Sequence, residues 1–207
     1  MNLTKINDMT KEEIIAYIDS KDVEVHFNLN QFDTYYDNKV LSYSKLSKNK
    51  NININELKNY AYEINDTSER VEWAYKKQLI EDSAITKINT KPKRGEIWTC
   101  QLGKNIGSEE HKTRPVIIIQ NNTGNEKSPT TIIVPISNRP KKIAVHIELM
   151  QSDYTFVDGI VGDIKGTILC EQIKVVSKAR LGKHIATLTN DFMDNILTSK
   201  LKMSIGL

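Results

Sequence analysis

The chain has 207 residues, of which 39% are hydrophobic, and its formal net charge at pH 7 is +3. This hydrophobic content suffices for a packed core and excludes a globally disordered chain. The lack of any apolar run of about 18 residues excludes a membrane-spanning helix. The first residues do not have the layout of a signal peptide, and the only cysteines are Cys100 and Cys170, so we expect a cytoplasmic protein. The scattered histidines and cysteines predict neither a metal site nor a cofactor.

Residues 1–90 have the patterns of helices. Thr10 and Glu13 form a capping box that opens a short helix ending near residue 19. A second apolar series recurs with helical spacing, at Leu29, Phe32, Tyr36, Val40, Tyr43 and Leu46. After an Asn/Lys-rich turn, a third series alternates steps of four and three, as heptads do, at Leu57, Ala61, Ile64, Ser68, Val71, Tyr75, Gln78, Asp82 and Ile85. We predict an imperfect helical hairpin that serves either as a structural or dimerising extension or as a surface for a regulatory partner.

The segment INTKPKRGE at residues 88–96 separates this helical part from the rest, because Pro92 and Gly95 break helices. Short strands punctuated by Gly, Pro, Asn and Asp follow, at 96–102, 115–120, 131–137, 145–149 and 166–173. Since no helix lies between successive strands, residues 91–207 are predicted to form a small antiparallel barrel or half-barrel. A C-terminal helix at 190–203 is predicted to cover it, with Thr189 as its N-cap and its buried face formed by Phe192, Ile196 and Leu197. The fold class is α+β.

Charge is distributed unevenly between the two parts. Residues 1–90 carry 12 basic and 15 acidic side chains, whereas residues 91–207 carry 17 basic and 11 acidic ones. A basic C-terminal part favours a polyanionic partner such as nucleic acid. An ordinary solvated surface is the alternative explanation of the same counts.

Arg114 stands where a polar loop runs into an apolar strand. If the second and third predicted strands pair as a hairpin through the turn NNTGNEKSP, the start of one meets the end of the other, and Arg114 lies beside Ser137. A guanidinium next to a hydroxyl can hold a phosphate between them. The alternative is a surface salt bridge of Arg114 with Glu109 or Glu110.

Several blocks of residues 93–203 together resemble the MazF/PemK family of toxin endoribonucleases. They are RGEIW, GSE, TRPVIIIQN, GN, SPTTIIVPIS, HIEL, GTILCEQIK and SKARL, in this order and at suitable separations. The resemblance implies an SH3-like barrel with a C-terminal helix that forms a homodimer. It further implies metal-independent cleavage of single-stranded RNA, in which the 2′-hydroxyl attacks the adjacent phosphate and leaves a cyclic phosphate and a 5′-hydroxyl.

The resemblance also implies roles for individual residues. The catalytic arginine of the family falls on Arg114, its partner threonine on Ser137, and its loop glutamate on Glu109, whereas His111 is an additional acid–base candidate of this chain. The residues predicted to contact RNA, either in the matching blocks or as basic side chains near them, are Ser108, Lys112, Asn121, Arg139, Lys141, Gln172 and Lys174.

The partners predicted on this basis are single-stranded RNA, a second copy of the chain, and an antitoxin, unless residues 1–90 inhibit in cis. Two other functions are considered. One is the CcdB type of toxin, which shares the barrel and binds gyrase, but the tryptophan near the C-terminus that marks that type is missing from KMSIGL. The other is a catalytically inactive RNA-binding module, to which the serine at position 137 and the altered loop would point.

Overall fold

The structure, a computed structural model, describes residues 6–25, 45, 48, 52–87, 89–138 and 143–207. The predicted helical series from Leu29 to Leu46 lies outside these residues. The chain divides into two compact units, Met1–Lys76 and Lys77–Leu207. None of the described helices is long and apolar enough to cross a membrane.

The first unit contains helix α1 (Lys11–Val25) and the larger part of helix α2 (Ile54–Asp82). Thr10 and Glu13 form the predicted capping box, because each backbone N–H donates to the side chain of the other residue, at 2.8 and 3.3 Å. The helix continues six residues beyond its predicted end near residue 19, to Val25. The core of the unit joins the two helices through buried apolar side chains, namely Ile6, Ile14, Ile18, Leu57, Ala61 and Ile64.

The predicted heptad series is therefore buried only at its first three positions. Further along α2, Tyr75 is 67% exposed, and Leu79, which lies outside the series, is 49% exposed. A short helix, α3 (Ala84–Lys87), follows. The Lys87 ammonium group donates to the carbonyl of Ala179 at 3.4 Å, so α3 is anchored to the second unit, to which it belongs.

The second unit is an antiparallel sheet. Its strands are β1 (Glu96–Gly103), β2 (Lys112–Ile118), β3 (Thr130–Ser137), β4 (His146–Glu148), β5 (Tyr154–Phe156), β6 (Thr167–Leu169), β7 (Lys174–Ser177) and β8 (Leu181–Leu188). The strands predicted from sequence correspond to β1, β2, β3, β4 and β6. The predicted turn between the second and third strands is a six-residue helix instead, α4 (Asn122–Lys127), because the Asn121 side chain caps it by accepting from the N–H of Gly124.

The sheet curls because β3 pairs with three other strands. The order is β4-β6-β3-β2-β1-β8-β5, with β7 also paired to β3. On one edge of β3, residues 130–133 pair with β7 and residues 136–137 pair with β6, while its other edge pairs with β2. An antiparallel half-barrel with a C-terminal helix results, as predicted.

Side chains alternate between the two faces of the sheet. One face, which includes Ile97, Ile117 and Val134, packs against the C-terminal helical residues. The opposite face, which includes Cys100, Val116 and Ile133, forms a second apolar cluster. Arg114 and Ser137 lie on this second face, because each is two residues from a member of the register pair Val116 and Pro135.

The C-terminal helix begins at residue 190, contains a π-helical segment, Phe192–Leu197, and continues as α5 (Thr198–Ser204). Thr189 caps it as predicted, with its hydroxyl accepting from the N–H of Phe192 at 3.3 Å. The predicted buried face is wrong at Ile196, which is 41% exposed, whereas Phe192 and Leu197 are buried. The wider π turn accounts for the difference, because it brings residues five apart onto the same face.

A candidate anion site at Arg114 and Ser137

The register between β2 and β3 brings Arg114 and Ser137 to the same end of the two strands. Val116 pairs with Pro135, so Arg114, two residues before Val116, is level with Ser137, two residues after Pro135. Ser137 is buried, with 1% relative exposure, and the Arg114 side chain is 19% exposed. The hairpin pairing thus brings a guanidinium and a hydroxyl to the same rim of the sheet.

The carboxylate of Glu110 lies between these two groups. Its Oε1 accepts a hydrogen bond from the Ser137 hydroxyl at 2.8 Å, and its Oε2 forms an ion pair with Nε of Arg114 at 3.0 Å. Nε also donates to the carbonyl oxygen of His111 at 3.2 Å. Oε2 is buried and, among the described residues, has no hydrogen bond with good geometry, so its contact with Arg114 is ionic. Arg114 and Ser137 thus form a site for an anion with two oxygens, and the Glu110 carboxylate fills it.

The loop between β1 and β2 holds Glu110 by its backbone. The N–H of Glu110 donates to Oε1 of Gln172 at 2.8 Å, and its carbonyl accepts from the side-chain amide of Asn105 at 2.7 Å. Gln172 also donates to the carbonyl of Ser108 at 3.2 Å. At the end of the loop Lys112 has a φ of 68°, a left-handed conformation that is unfavourable for a lysine. The loop is therefore locked in one strained arrangement.

The glutamate brought to the Arg114–Ser137 pair is Glu110, whereas the family resemblance pointed to its neighbour Glu109. The Glu109 side chain is 56% exposed and pairs with the ammonium group of Lys174 at 3.3 Å. His111 is half-buried, and its Nδ1 is 3.4 Å from the carbonyl of Glu109. Neither of these side chains has a described contact with Arg114 or Ser137.

The residues predicted to contact RNA separate into three groups. Ser108, Lys112, Gln172 and Lys174 belong to the loop or to the strand end beside it. Asn121 instead caps α4, so its side-chain oxygen is engaged by the Gly124 N–H at 2.7 Å. Arg139 and Lys141 lie outside the described residues.

A polar cavity of about 290 Å³ opens next to the loop. Asn105 and Lys174, which hold Glu110 and Glu109 respectively, contribute to its wall. The guanidinium of Arg180 also lines it and donates to the carbonyls of Gln101 and Leu102. The cavity is lined in all by Leu102, Asn105, Lys174, Val175, Val176, Ser177 and Arg180.

Sequence reasoning missed Asn105 as an anchor of this site, and it named Glu110 only as one of two alternative salt-bridge partners of Arg114, an ion pair that the structure contains. The loop has no periodicity, so no pattern distinguishes Glu109 from Glu110. The only available signal was the pair of glutamates five and four residues before Arg114, which left both as salt-bridge candidates. Which of them points inward depends on the hydrogen bonds of Asn105 and Gln172.

The two cysteines are not nucleophiles. Burial raises the pKa of each thiol to about 12. For Cys100 the positive charges of Arg180 and Lys174 oppose this rise, whereas for Cys170 the negative charge of Glu171 adds to it. Both thiols are therefore protonated at neutral pH and unreactive.

His146 is packed in the sheet, in strand β4. Its side chain is 6% exposed, and its Nε2 is 3.0 Å from a carboxylate oxygen of Glu171. In the part of the chain that the structure describes, no three His, Cys, Asp or Glu side chains form a group that could hold a metal ion.

Comparison with known proteins gives one family match. The family described as PemK-like, MazF-like toxins of type II toxin–antitoxin systems matches residues 93–203. A protein of Staphylococcus saprophyticus named endoribonuclease MazF is 36% identical over 117 residues, which are 56% of this chain and 92% of that protein. Residues 1–92 are outside the family match.

Two solved structures illustrate the structural comparison. MazF from Deinococcus radiodurans is 17% identical, with a TM-score of 0.47, and the match covers 57% of this chain and 99% of that one. A mycobacterial endoribonuclease in complex with its cognate antitoxin is 22% identical, with a TM-score of 0.45, and the match covers 56% and 96%. At these values the structural likenesses add nothing to the sequence match.

Proposed function

Because the chain belongs to the PemK-like, MazF-like family of toxins of type II toxin–antitoxin systems, we propose that it is a sequence-specific endoribonuclease of single-stranded RNA. The relative from Staphylococcus saprophyticus, named an endoribonuclease, supports this activity. In the proposed reaction the 2′-hydroxyl of one nucleotide attacks the adjacent phosphate and the 5′-oxygen of the next nucleotide leaves. The products are a 2′,3′-cyclic phosphate and a 5′-hydroxyl, and no metal ion takes part.

The observation that carries this proposal is the convergence of Arg114 and Ser137 on one two-oxygen anion. A phosphodiester offers two non-bridging oxygens in a similar arrangement. Arginine keeps its charge at every working pH, and a fixed cation aimed at oxygens that gain negative charge lowers the barrier most effectively in a site shielded from water. Arg114 is assigned to stabilise the pentacovalent phosphate, and Ser137 to donate a hydrogen bond to it.

Two protons have to move in this reaction. The 2′-hydroxyl loses one to a base, and the leaving 5′-oxygen gains one. Glu109 and His111 are the base candidates, since Glu109 is exposed and His111 is half-buried in the loop beside the site. Water supplies the proton to the leaving oxygen, and Arg114, which keeps its own proton, is assigned to stabilise the negative charge on that oxygen.

The path of the RNA is proposed to follow basic side chains on either side of the site. Lys112 and Lys174 lie on the loop side, and Arg139 and Lys141 follow Ser137 in sequence. The polar cavity beside Lys174 and Arg180 provides space for a neighbouring nucleotide. Contacts with phosphates give affinity that falls with salt, whereas recognition of sequence requires contacts with bases.

Membership of a toxin–antitoxin family implies an antitoxin as partner, and we propose a homodimer as the active form. Inhibition in cis by residues 1–90 is the alternative to a separate antitoxin. Their net charge is negative and that of residues 91–207 is positive, and a tethered segment has a high effective concentration. Removing residues 1–76 leaves the compact unit Lys77–Leu207 whole, so faster cleavage by this fragment would indicate inhibition in cis.

The activity is tested by incubating the full-length protein with a long unstructured RNA in the presence of EDTA and mapping the ends. We expect discrete cuts with 5′-hydroxyl and cyclic phosphate ends, slowed by about a thousandfold in Arg114→Ala. The matched control is Arg70→Ala, which removes an exposed arginine of the first unit that pairs with Asp66. Products with 5′-phosphate ends, or equal cleavage by Arg114→Ala, would contradict the proposal.

A further inference from the structure

The Glu110 carboxylate occupies the position that the proposed function assigns to the RNA phosphate. Its side chain is 11% exposed, and its two oxygens are directed at the two groups proposed to bind the phosphate. Oε1 is 2.8 Å from the Ser137 hydroxyl and Oε2 is 3.0 Å from Nε of Arg114. The site therefore already holds an anion supplied by the chain itself.

A phosphate and this carboxylate exclude each other. Each needs the single hydroxyl proton of Ser137 and the charge of Arg114. Two negative groups placed side by side in a poorly solvated pocket also repel each other, which disfavours any state in which both are bound. Binding of RNA at Arg114 and Ser137 thus requires the carboxylate to leave.

The structure allows that departure without unfolding of the loop. Gln172 and Asn105 hold the N–H and carbonyl groups of Glu110, and neither of these hydrogen bonds uses the carboxylate. Rotation about the side-chain bonds can turn the carboxylate towards solvent while the backbone stays anchored. The same anchors direct the carboxylate back into the site when no RNA is bound.

We propose that Glu110 is a built-in competitor of the substrate, which keeps the phosphate site closed in the free protein. This inference rests on the proposed function, since it concerns the same site. When only a fraction of molecules has the carboxylate turned out, the apparent affinity for RNA is reduced by that fraction. The loop glutamate thus sets how tightly the chain binds RNA, in addition to the contacts made by the RNA itself.

The test measures binding separately from cleavage. The probe is a fluorescent mixed-sequence oligonucleotide with 2′-deoxyribose throughout, which carries the phosphates but lacks the attacking hydroxyl, and its anisotropy is titrated with the full-length protein. Glu110→Gln keeps the shape of the side chain and removes its charge, and Glu110→Ala serves as a second variant. The control is Glu126→Gln, which removes the same charge from an exposed glutamate on α4 that pairs with Lys91.

We expect Glu110→Gln to bind the oligonucleotide at least about tenfold more tightly than the wild type and than Glu126→Gln. Equal effects of Glu110→Gln and Glu126→Gln would overturn the inference, because the cause would then be net charge. Unchanged or absent binding by both Glu110 variants would also overturn it.

If RNA cleavage is lost in those variants while binding is unchanged, Glu110 accepts a proton instead, and the nuclease proposal stands. If the wild type cleaves no RNA, the nuclease proposal fails. The binding titration still shows whether the Glu110 carboxylate competes with a phosphate for Arg114 and Ser137.

Discussion

The side chain of Gln172 accepts a 2.8 Å hydrogen bond from the backbone N–H of Glu110. Its amide group also donates to the carbonyl of Ser108 in the same loop. A residue just after β6 therefore sets the conformation of the loop between β1 and β2. The family resemblance pointed to Gln172 as a contact for RNA, and its hydrogen bonds give it a second role in positioning the loop.

Replacement of Gln172 by Ala is expected to lower kcat/KM for RNA cleavage by about ten- to a hundredfold, because a catalytic loop displaced by about 1 Å loses activity on this scale. The loss of two hydrogen bonds would destabilise the fold by only about 1–3 kcal/mol. The comparison is made by steady-state cleavage together with urea unfolding. Gln101→Ala, which removes an exposed bond to Thr113, is the control and should leave cleavage nearly unchanged.

Ser137 should require its hydroxyl and tolerate an added methyl group. Removal of one hydrogen-bond donor from a charge-stabilising site costs about 10²–10³ in rate, so we expect Ser137→Ala to lose activity on this scale. Ser137→Thr, the residue usual in the family, keeps the donor and should stay within about tenfold of the wild type. Single-turnover cleavage rates measure both. If Ser137→Ala were as fast as the wild type, Ser137 would have no part in the reaction.

Gly166 is expected to tolerate no side chain. A Cβ at this position would lie 2.7 Å from the carbonyl oxygen of Ser137, and the φ of 153° is itself unfavourable for other residues. Gly166→Ala should therefore destabilise the fold by about 1–3 kcal/mol or more and slow cleavage, because it moves the strand that carries Ser137.

The matched control for Gly166 is Gly159→Ala. Gly159 also has a positive φ, of 80°, but no atom of the described residues lies within 4 Å of its would-be Cβ. Thermal unfolding of both variants separates two causes of lost stability, the clash of the new Cβ with the Ser137 carbonyl and the strain of a positive φ. Equal losses of stability in the two would show that the approach of β3 and β6 does not matter.

The buried ammonium group of Lys178 is expected to make the free energy of unfolding depend on pH. The side chain is buried, with 1% exposure, and its ammonium group donates to the carbonyl of Asn125. Burial, with a smaller contribution from Lys91, lowers the pKa of Lys178 below its ordinary value of 10.5. Between the folded pKa and 10.5 the unfolded chain binds more protons than the folded one, so the free energy of unfolding gains a contribution that rises with pH.

Lys178→Met removes that contribution and keeps most of the side-chain volume. The Met variant is expected to gain stability relative to the wild type at neutral pH, since apolar replacement of a buried charge is often stabilising. The advantage should shrink as pH rises towards 10.5. Urea unfolding over this pH range measures it, with the exposed Lys183→Met as control. If the free energies of unfolding of the wild type and of Lys178→Met differed by the same amount at every pH, the expected change in protonation of Lys178 would be contradicted.

The sequence by itself determined those features that depend on neighbouring residues or on short motifs. The capping box of Thr10 and Glu13 and the places of β1, β2 and β3 between turn-forming residues depend on local sequence, so they were predicted before any contact was known. The family resemblance identified Arg114 and Ser137. The hairpin argument predicted that they lie at the same rim, where each contacts one oxygen of the Glu110 carboxylate, because antiparallel pairing links the start of one strand to the end of the next.

Where the local sequence pattern is weak, only the tertiary structure decided which segments become strands and which side chains point into the site. Strands β5, β7 and β8 were missed, and for β8 the bulged register disturbs the alternation of its side chains. The inward position of Glu110 was likewise not predictable. It depends on hydrogen bonds from Asn105 and Gln172, and the latter is 62 residues away in sequence. The family resemblance of the sequence identified the Arg114 guanidinium and the Ser137 hydroxyl. Long-range contacts decided that the Glu110 carboxylate, and not that of Glu109, lies between them.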